Sequence, residues 1–176
     1  MQTLVIVTHP NIENSIINKR WIQALESQPE KYKVHQLYSA YPDGKINISA
    51  EQQLIEQHEK IIFQFPLYWY SSPPLLKQWF DQVLTYGWAY GSNSGHKASG
   101  KKFALAISAG ESADAFGPSG RLKNTLEELT RPFALSIAYI KGKFISPFAF
   151  YDLEFNTSAL WVEKSVPEYL AYIDGL

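Results

Sequence analysis

Apolar and polar positions fall in blocks along this chain, and the blocks change period. Runs of strand length recur at Leu4 to Thr8, Tyr32 to Tyr38, Ile61 to Phe65, Lys102 to Ser108 and Lys143 to Ser146. Their β-branched and aromatic residues suit strands buried on both faces. Between them apolar residues recur at helical spacing. Ile16, Ile17, Trp21, Ile22 and Leu25 form one stripe, in a helix that starts at Ser15. The capping-box pattern Ser49-Ala50-Glu51-Gln52 opens a second helix that runs to about His58. Leu75, Leu76, Trp79, Phe80 and Val83 follow the start signals Ser71, Ser72, Pro73 and Pro74. A fourth helix is predicted from about Arg121, with Leu122, Leu126, Leu129 and Phe133 in register and a kink at Pro132. Leu160 to Ile173 closes the chain as a helix, irregular at Pro167. Pro66 ends the third strand and Pro147 the fifth, because proline has no ladder donor.

Short strands alternating with helices mean an α/β fold, a three-layer sandwich with helices on both faces of a parallel sheet. With five strands the expected order is 2-1-3-4-5, the flavodoxin-like arrangement, and residues 1–176 suit a single domain. Ligands of such sheets bind beyond the carboxyl ends of the strands, at the switch point between strands 1 and 3. The unusual loops of this chain, after strands 1, 3 and 4, all fall there.

Composition narrows the chemistry. Aromatics make up 15% of the residues, which leaves aromatic surface to spare beyond a core. The 16 Lys and Arg are scattered among 17 Asp and Glu, so no basic stripe offers footing to nucleic acid. There is no cysteine, which excludes thiolate nucleophiles, disulfides and cysteine-held metals. His35, His58 and His96 are too dispersed for a metal cluster. No apolar run approaches the length of a membrane span, and a soluble, cytoplasmic protein is expected.

The first loop contains no glycine, since none occurs before Gly44, so a Rossmann fingerprint or Walker loop is excluded after strand 1. It offers His9, Asn14, Ser15 and Asn18 at the mouth of a helix, where free N–H groups favour an anion. Each such helix-end interaction is worth roughly 0.3–1 kcal/mol when exposed. Plain N-capping by Ser15 explains the same residues. The second loop, Leu67-Tyr68-Trp69-Tyr70, is bulky and uncharged, with Trp69 free to pack against a ring. The third, Ser108-Ala109-Gly110-Glu111, has small residues where a backbone can approach a ligand closely. A phosphate pocket, an aromatic ledge and a close-approach turn suit a phosphorylated planar cofactor, and FMN is the candidate. A hydrolase reading of Gly110-Glu111-Ser112-Ala113-Asp114 fails, because the second glycine and a later histidine are both missing.

On these residues the sequence resembles the NAD(P)H quinone reductase family of flavodoxin-like flavoproteins. The resemblance is strongest to the short bacterial branch, with its general stress flavoproteins and the ancillary subunits of glutathione-gated potassium efflux systems. It rests on His9-Pro10 with Ser15 and Asn18, on Phe65 to Pro73, on Leu76 to Asp81, and on Gly87-Trp88-Ala89-Tyr90. It implies that His9, Ser15, Ile17 and Asn18 surround the flavin phosphate. Pro66, Leu67, Tyr68, Trp69 and Tyr70 would line the isoalloxazine ring together with Ser108, Ala109, Gly110 and Glu111. Trp69, Tyr70 and Tyr90 would form the pocket where nicotinamide and quinone stack in turn, with Phe116 beside it. The resemblance also implies two-electron, ping-pong hydride transfer from NAD(P)H to a quinone or similar flat acceptor. A homodimer with the site at its interface follows from the same source, as does regulation of a membrane transporter as an alternative role. Phe116 falls near a position where relatives with a proton relay carry tyrosine, and no histidine follows His96. Backbone N–H groups near Gly110 are then left to stabilise charge. FMN is expected over FAD because the chain is short.

Overall fold

The computed structural model describes residues 2–93 and 95–176. Its sheet is parallel, built from β1 (Thr3–Val7), β2 (Tyr32–Gln36), β3 (Lys60–Pro66), β4 (Lys102–Ser108) and β5 (Lys143–Phe144). Their order is β2-β1-β3-β4-β5, as the sequence pattern requires. Around it lie α1 (Ile17–Glu26), α2 (Leu37–Ala40), α3 (Ile48–Glu56), α4 (Pro74–Val83), α5 (Leu126–Tyr139) and α6 (Ala159–Asp174).

The two faces of the sheet bury different residues. Leu4, Ile6, Ile61, Phe63, Phe65, Phe103, Leu105 and Ile107 pack against α3, α4 and α5. Val5, Val7, Ile62, Ala104 and Ala106 point the other way, against Trp21 and Leu25 of α1 and Tyr169 and Ile173 of α6. This is the period-two alternation of a strand covered on both sides. On β4 it sets large residues on one face against alanines on the other. Among the described residues, no helix is long and apolar enough to cross a membrane.

Several boundaries depart from the sequence reading. The fifth strand does stop before Pro147, but pairing with β4 resumes at β6 (Phe148–Phe150), which the pattern did not reveal. Phe103 pairs with Phe144 while Ala106 pairs with Phe148, so the register slips by one residue across the proline. The second strand ends at Gln36, and Leu37 begins the short turn α2 instead. The expected cap at Ser49 is displaced to Asn47, whose side chain accepts from the Ala50 N–H at 3.1 Å. The helix expected from Arg121 starts at Leu126, capped by Thr125 in a true capping box with Glu128. Pro132 and Pro167 both lie inside helices.

The loop from Gly87 to Gly100 lies at the amino end of the sheet. Trp88 Nε1 donates to Glu56 at the end of α3 (2.7 Å), and the Gly100 N–H donates to the Lys141 carbonyl (2.9 Å). Nearby, buried Lys101 Nζ donates to the carbonyls of Glu56 (3.2 Å) and His58 (2.8 Å) and to the Glu59 carboxylate (3.0 Å).

Candidate functional site

The site is built at the opposite, carboxyl end. Beyond β1 the Thr8 N–H still donates to the Gln64 carbonyl (2.8 Å), which carries the chain out in line with the sheet. His9 follows, half-buried. Its Nδ1 accepts from the Asn11 N–H at 3.2 Å, so in the neutral ring Nε2 carries the hydrogen. Burial lowers its pKa from the ordinary value and favours that neutral form. A 3-10 turn over Ile12–Asn14 brings the chain to Ser15, whose Oγ accepts from the Asn18 N–H at 3.1 Å. Helix α1 therefore starts at Ile17, yet Ser15 still serves its first turn. A tail lobe of about 310 Å³ opens here, lined by His9, Asn14, Ser15, Ile17, Asn18 and Ser108 among others.

The ledge after β3 is a tight reversal. The Leu67 N–H donates to the Ser108 carbonyl (2.9 Å), tying the tip of β3 to that of β4. Tyr68 and Ser71 exchange two backbone hydrogen bonds of 2.9 Å, and the residues between them are left-handed: Trp69 at φ 48° and Tyr70 at φ 61°. Such two-residue turns favour Asn-Gly, and each side chain there costs roughly 1–2 kcal/mol. Two bulky aromatics in this conformation are held by the paired Tyr68–Ser71 hydrogen bonds that close the turn. The turn lifts Trp69 into solvent at 94% exposure, with Tyr68 and Tyr70 partly exposed beside it. A ring lobe of about 320 Å³ lies between this turn and the loop after β4.

That loop supplies the facing wall. The carbonyls of Ala109, Gly110 and Glu111 accept from the N–H groups of Leu153 (3.2 Å), Glu154 (3.1 Å) and Asp152 (2.9 Å). The N–H groups of Gly110 and Glu111 make no hydrogen bond among the described residues, and neither do those of Trp69 and Tyr70. Unspent donors on both walls suit a flat ligand edged with oxygen and nitrogen. A Cβ at Gly110 would meet the Glu154 side chain within 2.6–2.9 Å, so the glycine keeps this wall close. Glu111 is paired with Arg121, and Phe116 lines the same lobe with its ring 5.3 Å from that of Tyr151.

His9, Ser15, Ile17, Asn18, Pro66 to Tyr70, Ser108 to Glu111 and Phe116 thus border one two-lobed cleft, the lobes sharing Leu67, Tyr68, Gly110 and Glu154. Tyr90 is not among them. It lies in the loop at the amino end, 5.3 Å from the Tyr139 ring and 5.8 Å from Tyr86, in a groove with Leu135. The sequence reading missed Leu153 and Glu154, which follow the strand hidden behind Pro147. It also passed over Gln64, a fully buried polar residue inside an apolar strand, which was a signal in its own right. Among the described residues no cluster of His, Asp and Glu could hold a metal ion. The donor set fits FMN: imidazole, hydroxyl and amide groups around one lobe for a phosphate, free N–H groups and aromatics around the other for a ring.

The chain is 50% identical over 151 residues to an uncharacterised NAD(P)H oxidoreductase, YrkL, of Bacillus subtilis, covering 86% of each protein. It is 37% identical to KefG of Yersinia enterocolitica, a glutathione-regulated potassium-efflux system ancillary protein, covering 97% of this chain and 86% of that one. The fold superposes on general stress protein 14 of Treponema denticola, solved in complex with FMN, with a TM-score of 0.93, 43% identity and 99% of each chain covered. An NADPH-quinone reductase of P. pentosaceus superposes with a TM-score of 0.87 at 32% identity, over 98% of each chain. The model of the family described by its flavodoxin-like fold matches residues 1–173, and the chain belongs to that family of NAD(P)H oxidoreductase-type flavoproteins.

Proposed function

We propose that this protein is an FMN-dependent NAD(P)H oxidoreductase that reduces quinones or similar flat acceptors, in the cytoplasm, by two-electron ping-pong transfer. The observation that carries the proposal is the continuous cleft at the tips of β1, β3 and β4, polar in one lobe and aromatic in the other. FMN, when bound, would supply the redox chemistry, a two-electron exchange between NAD(P)H and the acceptor. The chain's own residues position and shield. His9 Nε2–H, the Ser15 and Ser108 hydroxyls, Asn18 and the first turn of α1 at Ile17 hold the phosphate tail. Pro66 to Tyr70 and Ala109 to Glu111 hold the ring, with the free N–H groups of Gly110 and Glu111 directed at its polar edge. Trp69, Tyr70 and Phe116 offer flat faces against which each substrate lies in turn.

Tyr90, at the far end of its own sheet, joins a site only in a homodimer whose interface completes the cleft, and the exposed Leu135 and Tyr139 of α5 beside it offer such an interface apolar surface. The experiment is direct. The purified chain reconstituted with FMN shows a perturbed flavin spectrum, mass spectrometry of the released cofactor gives FMN, and steady-state kinetics give parallel double-reciprocal lines. A chain that stays colourless with FMN, or turns over no NAD(P)H with quinones, overturns the proposal. The match to KefG favours a second role beside the first, as a flavin-bearing subunit that regulates a potassium efflux system. Co-purification with such a transporter, kept in a variant without turnover, tests it.

A further inference from the structure

A chain of buried hydrogen bonds runs beneath the tail lobe and joins four elements. Tyr169 OH on α6 donates to Gln64 Oε1 on β3 at 2.7 Å. Gln64 Nε2 donates to both the carbonyl and the side-chain Oδ1 of Asn18 on α1, each at 3.2 Å. Asn18 Nδ2 donates to Ser108 Oγ on β4 at 2.8 Å. Tyr169 and Gln64 are wholly buried, Asn18 is 1% exposed and Ser108 4%.

The direction of these bonds is forced. The Asn18 main-chain carbonyl can only accept, so Gln64 must turn its NH₂ towards it and its oxygen away, towards Tyr169. The second Gln64 hydrogen fixes Asn18 Oδ1 as an acceptor, which leaves Asn18 Nδ2 to donate to Ser108. Ser108 Oγ is thereby an acceptor from below, and its own hydrogen finds no acceptor among the described residues. Ser108 borders the tail lobe. A hydroxyl held this way presents a donor to whatever oxygen enters.

Tyr169 is itself fixed. Its ring stacks on Trp21 at 4.4 Å, and Trp21 Nε1 donates to Ser165 Oγ at 2.9 Å. Burial pushes its phenol pKa well up, so the hydroxyl stays a donor at any ordinary pH.

We propose that Tyr169 and Gln64 are positioning residues for the cofactor tail, because their hydrogen bonds fix the polarity of Asn18 and keep the Ser108 hydroxyl aimed as a donor at a ribityl or phosphate oxygen. The proposal rests on the reading that this cleft binds FMN. Without the Tyr169 hydroxyl, Gln64 Oε1 is left buried and unsatisfied, so the side chain loses its anchor and moves off Asn18, whose own amide is then free to turn. Asn18 Oδ1 then draws the Ser108 hydrogen inward, and the tail loses its donor.

The test compares FMN with lumiflavin, which has the ring without the ribityl phosphate, by flavin-fluorescence titration of the whole chain. Tyr169→Phe is expected to weaken FMN binding about tenfold, roughly 1.4 kcal/mol, and to leave lumiflavin affinity unchanged. Ser108→Ala is expected to do the same, and the double variant to be no weaker than Ser108→Ala alone. Equal FMN affinity in Tyr169→Phe and wild type overturns the proposal, as do a joint loss of both flavins or losses that add. If Tyr169→Phe does not fold, Ser108→Ala decides: selective loss of FMN supports the donor, and no loss overturns it. A wild-type chain that binds neither flavin overturns the reading of the cleft itself, a result distinct from all of these.

Discussion

Glu51 on one face of the sheet and Gln64 on the other are both fully buried, yet their surroundings differ in kind. The Glu51 carboxylate accepts from His35 Nε2 (2.8 Å) and Tyr41 OH (2.6 Å) through one oxygen and from Trp79 Nε1 (2.8 Å) through the other. Every donor in that cluster ends on the carboxylate, and nothing is left over for a ligand. The Gln64 chain carries no charge and ends in a hydroxyl at the cleft. A closed cluster can only hold β2, α3 and α4 together, whereas an open one can pass its orientation to something bound.

The hardest test of this contrast is Glu51→Ala, which strands the indole, phenol and imidazole donors. Loss of one partner from a buried charged cluster costs about 3–5 kcal/mol. Denaturant unfolding should show that loss, while the folded fraction still binds FMN with wild-type affinity; a parallel fall in affinity would join the two clusters into one unit. Next in size is His9→Ala, on the open side. Removing a donor to a charged phosphate costs roughly 1.5–3 kcal/mol of FMN binding, with the unfolding midpoint of the ligand-free protein unmoved and lumiflavin binding intact.

Acid sharpens the same contrast. Burial alone pushes the Glu51 pKa up, but hydrogen bonds from His35, Tyr41 and Trp79 outweigh it and hold the group below its ordinary value. A depressed folded pKa contributes stability that is complete above the unfolded value, about 4.3, and is lost as pH falls through the folded one. Wild type should therefore lose stability more steeply than Glu51→Gln below about pH 4.3, as measured by unfolding at stepped pH. The smallest effect belongs to the aromatic turn. Tyr70→Gly relieves a left-handed side chain and should raise stability by about 1 kcal/mol, or about 2–4 °C, while turnover with flat acceptors falls. A lower melting temperature would mean that the Tyr70 ring contributes more than its backbone costs.

Strand order and the gathering of the loops at one end could be read from the sequence, because buried strands and proline stops are local signals. The helix starts could not. Ser49 and Thr125 both head a capping-box pattern, but Asn47 lies two residues ahead of Ser49 and takes the first turn, while nothing competes with Thr125. The apolar register beginning at Leu122 drew the α5 boundary too early. β6 was lost because Pro147 ends one pairing and the register slip that permits another exists only in the sheet. Tyr169 stands 105 residues from Gln64, and one polar side chain in an apolar strand does not announce so distant a partner.

The alanine face of β4 has a further consequence. Ala104 and Ala106 share their layer with Trp21 and Tyr169, so their small volume sets how near α6 lies to the strands. A single added methyl there would lift the helix and draw the phenol away from its amide. Divergent members of this lineage could thus loosen or tighten their hold on the nucleotide through substitutions in the hydrophobic interior, with every pocket-facing residue left untouched.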